Sequence, residues 1–353
     1  MRNRVDVPVD LSVIIVTWNV CDLLTSCLRS LEAISRPLPA NVQSRHFGPP
    51  TTPATLEVIV VDAASSDATP QQIPQLFPWV RYLRAESNLG FTRGNNLGYA
   101  ASRGHFVYFL NPDTELRDGE TAGASSIVNR QSSIQNSLWT LFCALNEDDT
   151  LGMVGPQLRY GDGSFQNSRR RFPTRLTGFF ESTWLGQVWP RNPWVQAMHI
   201  ADVATTEAHD VDWLTGAAMF ARRSALEQVR MREYAGPFDE TFFMYSEETD
   251  LCHRLRDAGW RIRYVPAAVV THYEAKSSEQ VTAQRQIHFN SSKVRYARKY
   301  FGVSWAEALR QYILLEFRSQ RWLEQLKYWL GHKRALRAAR IAAYQQVIAS
   351  GLR

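Results

Sequence analysis

Acidic side chains follow two apolar strands in the first half of this 353-residue chain. Asp62 closes the run LEVIVV, and Asp113 follows HFVYFL within the sequence Asn-Pro-Asp-Thr. Polar groups at the carboxyl ends of parallel strands lie where open α/β sheets bind ligands. Asp113, with Asn111 as a neutral oxygen donor, therefore predicts a site for Mg²⁺ or Mn²⁺, cations that hold phosphates. Asp62 fits two roles: an acceptor for a base N–H or ribose hydroxyl, or a helix cap beside Asp67.

A turn rich in Gly and Asn, NLGFTRGNN at residues 88–96, precedes the strand that leads to Asp113. Gly90 and Gly94 permit close approach of the backbone to a ligand. Arg93 offers a guanidinium that can pair with a phosphate. Glycine pairs are equally common in turns that bind nothing, so the motif alone leaves both interpretations open.

Three carboxylates, those of Glu247, Glu248 and Asp250, begin a predicted helix behind an aromatic run. The positive end of the helix dipole favours acidic residues, which accounts for one or two of them. A carboxylate that the aromatic side chains partly desolvate can instead act as a general base. Asp250 lies about one turn inside the helix, so we assign it to the local structure.

A histidine, His272, ends the predicted strand VVTH. An imidazole nitrogen at that position can ligate a metal, although most single histidines do not. The three residues at 276–278, Lys-Ser-Ser, could contact a diphosphate.

The elements that must position these residues alternate between strand and helix. Apolar, β-branched runs predict buried strands, and apolar residues at helical spacing predict helices. This order favours a doubly wound, mostly parallel sheet flanked by helices. In the first half the strands are 11–17, 56–61, 80–84 and 106–110, and the helices are 21–33, 68–76 and 92–103, with Gly104 as a C-cap.

Five prolines at 36–55 predict a surface loop or mobile insertion between the first two strands.

The second half of the chain has a different pattern of elements. From residue 138 to residue 272 we predict a helix at 138–145, strands at 153–158, 211–214, 217–221, 261–265 and 269–272, and a helix at 247–258 capped by Gly259. From residue 284, apolar residues recur at helical spacing almost to the end of the sequence.

Composition narrows the class of protein. The four cysteines have no metal or disulfide spacing, which indicates reduced thiols in a cytoplasmic protein. The first residues lack the pattern of a signal peptide, and no run of ~18 apolar residues predicts a membrane span. The net charge of +6 is uneven, because residues 291–353 carry 13 Lys and Arg against 3 Glu. A basic tail of this kind suits an anionic surface, either lipid or nucleic acid.

Eight motifs in a fixed order carry a family resemblance that covers about residues 11–302. The chain resembles family 2 glycosyltransferases of the GT-A fold, and most of all the bacterial rhamnosyltransferase type. The motifs are SVIIVTWN, EVIVVDAASSD, NLGFTRGNNLG, FLNPDTEL, VGPQLRYGDGSFQNSRRRFP, WLTGAAMFARRSAL, GPFDETFFMYSEETDLCHRLRDAGW and VPAAVVTHYEAKS.

The resemblance implies a fold and a division of the chain. It implies a Rossmann-like, mostly parallel GT-A sheet in a catalytic domain at 1–282. A nucleotide-binding half would cover about 11–120, and an acceptor half with the base about 151–282. The basic helical region at 283–353 would be a C-terminal extension.

The resemblance also assigns site residues. Asp113 matches the last acid of the family's metal-binding Asp-x-Asp motif, Asn111 stands at its first acid, and His272 matches a position that completes the metal shell. Glu248 matches the general base, and Glu247 is the second candidate. The implied nucleotide-sugar contacts are Thr17, Asn19, Asp62, Asn88, Gly90, Arg93, Asn95, Asn96, Asn111 and Asp113; the implied acceptor side is Trp213, Thr215, Gly216 and Asp250.

The implied activity is inverting transfer of a sugar from a nucleoside diphosphate sugar to a hydroxyl of a lipid-linked or polysaccharide glycan. dTDP-rhamnose is the favoured donor, and a UDP-sugar is the alternative. A protein of the same fold that binds nucleotide sugar or glycan without transfer is the rival interpretation. A nucleotidyltransferase usually opens with a Gly-rich basic loop, whereas the first strand here leads into TWNVCDLL.

The basic tail at 305–353 leaves two interpretations open. Trp322, Leu326, Trp329 and Leu330 share one helical face with arginine and lysine nearby, which suits an interfacial helix on the inner face of the plasma membrane. Alternatively, a helical pair packs on the catalytic domain. We expect no nucleic-acid partner, because the tail has no recognised nucleic-acid motif. The sequence assigns no oligomeric state.

Overall fold

The structure, a computed structural model, describes residues 8–38, 41–116, 136–181, 188–189, 191–274, 282–331 and 333–353. The chain divides into two compact units. The first unit contains Met1–Arg171, Val203–Glu240 and Glu248–Lys276. The second contains Phe172–Asp202, Thr241–Glu247 and Ser277–Arg353.

The strands lie in the first unit and hold the predicted site residues at their ends. Their bounds are β1 (Leu11–Thr17), β2 (Ser35–Leu38), β3 (Asn41–Phe47), β4 (Ala54–Asp62), β5 (Arg81–Arg84), β6 (Phe106–Leu110), β7 (Thr114–Leu116), β8 (Leu151–Arg159), β9 (Phe165–Gln166), β10 (Arg169–Arg170), β11 (His209–Val211), β12 (Trp213–Leu214), β13 (Ala218–Arg222) and β14 (Arg261–His272).

Most of the helices lie close to their predicted bounds, whereas three short helices at 175–181, 193–198 and 223–229 were not predicted. Their bounds are α1 (Cys21–Ala33), α2 (Thr69–Leu76), α3 (Gly90–Ala101), α4 (Ser137–Asn146), α5 (Arg175–Glu181), α6 (Pro193–Met198), α7 (Arg223–Val229), α8 (Glu247–Asp257), α9 (Thr282–Phe301), α10 (Val303–Trp329) and α11 (Arg334–Ser350).

A mixed sheet forms the centre of the first unit. Its order is β11-β14-β8-β13-β6-β1-β4-β3-β2, with β5 beside β4, β7 beside β14 and β9 beside β8. The strands predicted in the first half form the parallel middle of the sheet, and antiparallel strands flank it. Among the described strands, parallel pairing joins β5, β4, β1 and β6 and joins β8 to β14, because β13 inserts antiparallel between β6 and β8.

Helix α3 packs on β1 through glycines one turn apart. A Cβ at Gly94 would lie 2.6 Å from Val16 Cγ1, and one at Gly98 would collide with Ile14. These positions therefore serve the contact between helix and sheet. The close approach predicted for Gly94 is made to β1, whereas Gly90, at φ 68°, opens the helix in a conformation that favours glycine.

The predicted Pro-rich loop at 36–55 is wrong, because much of it is an edge hairpin of β2 and β3. Arg45, only 5% exposed, holds the hairpin. Its Nε donates to Ser35 Oγ at 2.7 Å, its Nη2 donates to Glu32 O at 3.3 Å, and its guanidinium lies 4.7 Å from the Trp79 ring centroid. Long-range contacts of this kind override the local signal of the prolines.

Two smaller expectations also change. The strands predicted at 261–265 and 269–272 are one strand, β14, whose register shifts between Val265 and Val269.

Gly104 is not the cap of α3, which ends at Ala101 with Ser102 as its C-cap. A Cβ at Gly104 would lie 2.5 Å from Ser12 N, so the glycine permits a close approach of two backbones. Gly259, at φ 90°, does cap α8 as predicted.

The second unit is helical and has its own core. Glu324 on α10 and Arg337 on α11, both nearly buried, form an ion pair of 2.7 Å between these helices. Within the described ranges, no helix combines the length and the apolar character that crossing a membrane requires. The core side chains are Val294, Ala297, Ala306, Leu309, Ile313, Leu314, Val347 and Leu352.

Candidate active site

The carboxyl ends of β1 and β4 are clamped together by polar contacts. Thr17 and Asp62 are register partners, and Ala63 N donates to Thr17 O at 2.9 Å. Asn19, in a left-handed conformation at φ 54°, accepts from Ser66 N at 2.7 Å and donates its own N–H to Ser65 Oγ at 2.9 Å. Asn19 therefore joins the two turns that follow these strands.

Thr17 contributes a polar atom without a partner at this edge. Its Oγ1 is buried and has no hydrogen bond to any described residue. Buried hydroxyls are normally satisfied, so such an atom marks a place where a ligand or water is expected.

Asp62 is fully buried, and the protein engages both of its carboxylate oxygens. Oδ1 accepts from Ser65 N at 2.8 Å, and Oδ2 accepts from Tyr82 Oη at 2.6 Å. Burial and the Asp62 carboxylate raise the pKa of Tyr82 well above its usual range. These contacts favour the structural role of Asp62, which shapes the turn, over direct contact with a base.

Asp67 is the second cap considered for this region. Its Oδ2 accepts from Cys21 N at the start of α1, and its Oδ1 accepts from Thr69 N, both at 3.0 Å. Burial raises the pKa of the Asp67 carboxyl, but the hydrogen bonds from Thr69 and Cys21 outweigh it and leave the pKa below its ordinary value.

In the segment 88–96, the side chains of Asn88 and Asn95 make hydrogen bonds within the segment, whereas Arg93 is exposed. Asn88 Oδ1 accepts from Gly90 N at 2.9 Å and fixes the start of α3. Arg93 is exposed and lies 3.3 Å from Glu240. Asn95 donates to Phe91 O at 2.9 Å.

Asn96 is buried and holds a neighbouring loop. Its Nδ2 donates to Phe238 O at 2.9 Å, and its Oδ1 accepts from Phe238 N at 3.0 Å. These contacts assign Asn96 to structure. Glu240, which also accepts from Asn96 Nδ2 at 3.0 Å, is a residue that sequence reasoning missed.

Asn111 and Asp113 follow β6 and are tied to the antiparallel half of the sheet. Asn111 N donates to Ala217 O at 2.9 Å, and Tyr273 N donates to Asp113 O at 2.9 Å. These contacts bring Asn111 beside the Trp-Leu-Thr-Gly motif and Asp113 beside the end of β14.

The His272 ring lies between Asp113 and Gln166. Nε2 is 3.4 Å from Asp113 Oδ1, and Nδ1 is 3.0 Å from Gln166 Oε1. All three residues are at most 8% exposed. In the neutral tautomer that donates Nδ1–H to Gln166 Oε1, the Nε2 lone pair faces the Asp113 carboxylate. Two acceptors facing each other repel unless a proton or a cation lies between them.

This pair fits a divalent cation. An imidazole nitrogen and a carboxylate oxygen 3.4 Å apart are donor types that would together hold such a cation. A second hydrogen bond that fixes the tautomer, as from Gln166, is usual for a histidine ligand. Among the described residues, no group of three or more His, Cys, Asp and Glu side chains is arranged for a metal.

Gly216 lies against the base candidate and the nucleotide turn. A Cβ at Gly216 would lie 3.6 Å from Phe91 Cζ and 3.7 Å from Glu248 Cβ. Thr215 N donates to Ser168 O at 3.1 Å, while Thr215 Oγ1 is buried with no hydrogen bond to any described residue. The glycine therefore leaves space between Phe91 and Glu248.

The other predicted acceptor-side residues have structural contacts. Trp213 Nε1 donates to Arg171 O at 3.0 Å. Asp250 is fully buried and accepts from Arg254 Nε at 2.9 Å. Glu247 is 4% exposed, while Glu248 is half-buried.

The first unit thus brings together Asn111, Asp113 and His272, and it brings Glu248 to Gly216. The residues 276–278 lie outside the described residues. Gln166 and Phe91 were missed as functional candidates, although both lie within quoted motifs. All four cysteines are free, and burial raises the pKa of Cys27 to about 12, so its thiol is a protonated core group.

Family models match both halves of this site. The model described as "Glycosyl transferase family 2" matches residues 12–122, and "Glycosyltransferase like family 2" matches residues 193–287. In fold, the chain is similar to GalNAc-T7, crystallised with UDP, GalNAc and Mn2+. The TM-score is 0.50 at 14% identity, over 83% of this chain and 48% of that one.

Two relatives are rhamnosyltransferases. The chain is 33% identical over 271 residues to N-acetylglucosaminyl-diphospho-decaprenol L-rhamnosyltransferase of Mycobacterium tuberculosis (strain CDC 1551 / Oshkosh), over 73% of this chain and 80% of the relative. It is 28% identical over 191 residues to Rhamnosyltransferase WbbL of Escherichia coli (strain K12), over 52% of this chain and 61% of that one. The likenesses establish the GT-A fold, and the chain belongs to glycosyltransferase family 2.

Proposed function

We propose that the protein is an inverting glycosyltransferase that transfers rhamnose from dTDP-rhamnose to a hydroxyl of a lipid-linked glycan. The observation that carries the proposal is the buried pair of Asp113 and His272 at the carboxyl edge of the sheet. The names of the similar enzymes support the rhamnosyl donor and an N-acetylglucosaminyl diphosphate lipid as acceptor. A UDP-sugar is the alternative donor.

Asp113 and His272 would hold a divalent cation, Mg²⁺ or Mn²⁺, with Asn111 as a neutral oxygen donor nearby. When bound, the cation stabilises the negative charge that develops on the diphosphate leaving group. Gln166 holds the His272 ring with Nε2 toward Asp113. Within the described ranges, Asp113 is the carboxylate beside His272, and the donor diphosphate would share in holding the cation.

Glu248 would act as the general base. Its carboxylate takes the proton of the acceptor hydroxyl, and the hydroxyl oxygen bonds to the anomeric carbon as the bond to the diphosphate breaks. Attack from the face opposite the leaving group inverts the anomeric centre. Gly216 leaves room at this position, since a side chain there would project toward Glu248 and Phe91. Glu247 is the second candidate for the base.

The nucleotide would lie over the ends of β1 and β4. Thr17 Oγ1 is the buried polar atom that a nucleotide would satisfy there. Asp62 and Asn19 would act by fixing the two turns, because their contacts are already made within the protein. Arg93, exposed at the start of α3, would contact the diphosphate as its pair with Glu240 opens.

We further propose that the second half of α10 contacts an anionic membrane, where the lipid-linked acceptor would reside. Trp322, Trp329 and Leu330 are 63%, 66% and 76% exposed. Exposed tryptophan beside basic side chains is typical of interfacial helices. A double Trp322→Ala and Trp329→Ala variant should lose sedimentation with phosphatidylglycerol vesicles, whereas retained binding would oppose this part of the proposal.

The test of the activity is a donor screen followed by a transfer assay. Nucleoside diphosphate sugars are compared for thermal stabilisation with Mg²⁺, with Mn²⁺ and with EDTA, since a tight donor stabilises the folded state by mass action. The best donor is then incubated with an N-acetylglucosaminyl diphosphate lipid. Metal-dependent stabilisation by dTDP-rhamnose and a rhamnosylated product would support the proposal. Donor binding without transfer or hydrolysis would indicate a binding protein instead.

A further inference from the structure

A basic cavity lies within the second unit, formed by α9, α10, the segment 241–242 and the residues 352–353 that follow α11. Its volume is about 760 Å³, which is in the range of small-molecule sites. Five cationic side chains and one carboxylate line it, so the net side-chain charge of the lining is +4. These residues are Arg295, Arg298, Lys299, Glu307, Arg310 and Arg353.

Two of the arginines are held in place. Arg310 donates to both Glu307 oxygens, at 2.9 and 2.5 Å, and to Gly351 O at 2.8 Å. Arg295 donates to Thr241 O at 2.5 Å and to Arg353 O at 3.5 Å. Because these guanidiniums are half-buried and fixed by backbone carbonyls, little side-chain freedom remains to be lost on binding an anion.

The positive charge is only partly neutralised by the cavity itself. Glu307 is paired with Arg310, and hydrogen bonds from Arg310 lower the pKa of Glu307 to about 2. In the part of the chain that the structure describes, no Asp or Glu side chain lies within ion-pair distance of Arg295 or Arg298. Stabilisation of the α9 dipole explains cations in its last turn, and Arg310, from another helix, brings a further guanidinium to the same cavity.

One wall of the cavity is apolar. Phe242, Val294 and Leu352 line it and are each at most 3% exposed. A cluster of arginines beside an apolar wall matches a phosphorylated group that carries a hydrocarbon chain, because arginine forms paired hydrogen bonds with phosphate oxygens.

We propose that this cavity binds a diphosphate group, in addition to any diphosphate of the sugar donor. Its source is either a lipid-linked diphosphate, whose chain would contact the apolar wall, or a free diphosphate. The lipid source rests on the proposed function, since the lipid would be the acceptor. The binding of a diphosphate group in this cavity does not rest on the proposed function.

The experiment measures binding of inorganic diphosphate and of farnesyl diphosphate to the full chain by calorimetry, at fixed ionic strength with EDTA. The test variant is Arg298→Gln. Its matched control is Arg256→Gln, because Arg256 is also an exposed arginine in the last turn of a helix, α8. His272→Ala separates this cavity from the donor site. The thermal midpoint of each variant verifies folding.

The cavity proposal predicts saturable binding that Arg298→Gln weakens about tenfold, or about 1.4 kcal/mol, and that Arg256→Gln and His272→Ala leave unchanged. Tighter binding of farnesyl diphosphate than of inorganic diphosphate assigns the lipid source, and equal binding assigns the free one. Binding that Arg298→Gln does not weaken, or that His272→Ala abolishes, would overturn the proposal. A failure of rhamnosyl transfer with this binding intact would count against the proposed function alone.

Discussion

His272 Nε2 lies 3.4 Å from Asp113 Oδ1, while Nδ1 of the same ring lies 3.0 Å from Gln166 Oε1. The strand end at β14, the turn after β6 and the short strand β9 thus meet at one imidazole. In this orientation Nε2 and the carboxylate are two acceptors side by side, an arrangement that a cation between them would stabilise.

The first prediction concerns this ring. His272→Ala should remove most of the metal-dependent thermal stabilisation by the donor, because it deletes one of two protein ligands. Gln166→Ala should weaken metal affinity about 10–100-fold, the usual effect of losing a residue that orients a ligand. Titration of Mn²⁺ in the presence of donor measures both. His105→Ala, an exposed histidine before β6, should behave like the unsubstituted protein; equal losses in all three variants would refute the assignment.

The second prediction uses Asn111. Asn111→Asp should tighten metal binding by about tenfold or more, because a second carboxylate adds charge next to Asp113. The measurement is the concentration of Mn²⁺ that gives half of the maximal donor stabilisation. Weaker metal binding in this variant would show that the residue after β6 lies away from the cation.

The third prediction concerns the contact between α3 and β1. Gly94→Ala should destabilise the protein by about 1–2 kcal/mol, since the new Cβ would lie 2.6 Å from Val16 Cγ1 and overpacking outweighs the higher helix propensity of alanine. Adding Val16→Ala should restore part of the loss. Urea unfolding followed by circular dichroism measures both variants.

The control for this substitution is Gly178→Ala in α5, where a Cβ would meet no atom within 4 Å. That variant should be unchanged or stabilised by about 0.5–1 kcal/mol. If Gly94→Ala is as well tolerated as Gly178→Ala, the glycine does not serve helix packing.

The fourth prediction concerns the buried ion pair of the second unit. Arg337→Leu should destabilise the protein by about 2–3 kcal/mol, less than the ~3–5 kcal/mol for breaking an isolated buried pair, because Lys327 and Arg340 lie 3.5 and 3.6 Å from Glu324. Arg340→Leu, at the exposed side, should cost less than about 1 kcal/mol. Equal effects of the two substitutions would contradict the account.

The same pair predicts a direction of pH dependence. Burial raises the pKa of Glu324, but Arg337 and its basic neighbours outweigh that effect and leave it below its ordinary value. A carboxyl whose pKa falls on folding adds stability that is complete above its unfolded pKa and lost as pH falls through its folded pKa. Unfolding midpoints measured downward from pH 5 should therefore fall more for the unsubstituted protein than for Glu324→Gln.

The local sequence pattern predicted the elements whose apolar residues follow a regular strand or helix spacing. β1 and α1 have the predicted bounds, since LSVIIVT is β-branched and the apolar residues of 21–33 recur at helical spacing. β2 and β3 were missed because Arg45 stabilises them through contacts with Ser35, Glu32 and Trp79, which the local pattern of prolines does not indicate. Two strands were predicted where β14 is continuous across a bulge near Pro266.

The sequence allowed candidate site residues to be named, but it did not predict which other residues they contact. Asp113 and His272 were both expected at strand ends, but their partner Gln166 is 106 residues from His272. Asp62 was expected in either of two roles, and only the contacts with Ser65 and Tyr82 favour the structural one. Such choices depend on long-range packing, which one sequence does not record.

The central claim is that Glu248 takes the proton in a sugar transfer that depends on a divalent metal. The most direct measurement is the rate of rhamnosyl transfer by Glu248→Gln and by Glu247→Gln, each with donor affinity measured by thermal stabilisation. We expect Glu248→Gln to bind donor about as well as the unsubstituted protein and to transfer ~10²–10⁴-fold more slowly. Transfer by Glu248→Gln near the unsubstituted rate, with Glu247→Gln inactive, would contradict the assignment.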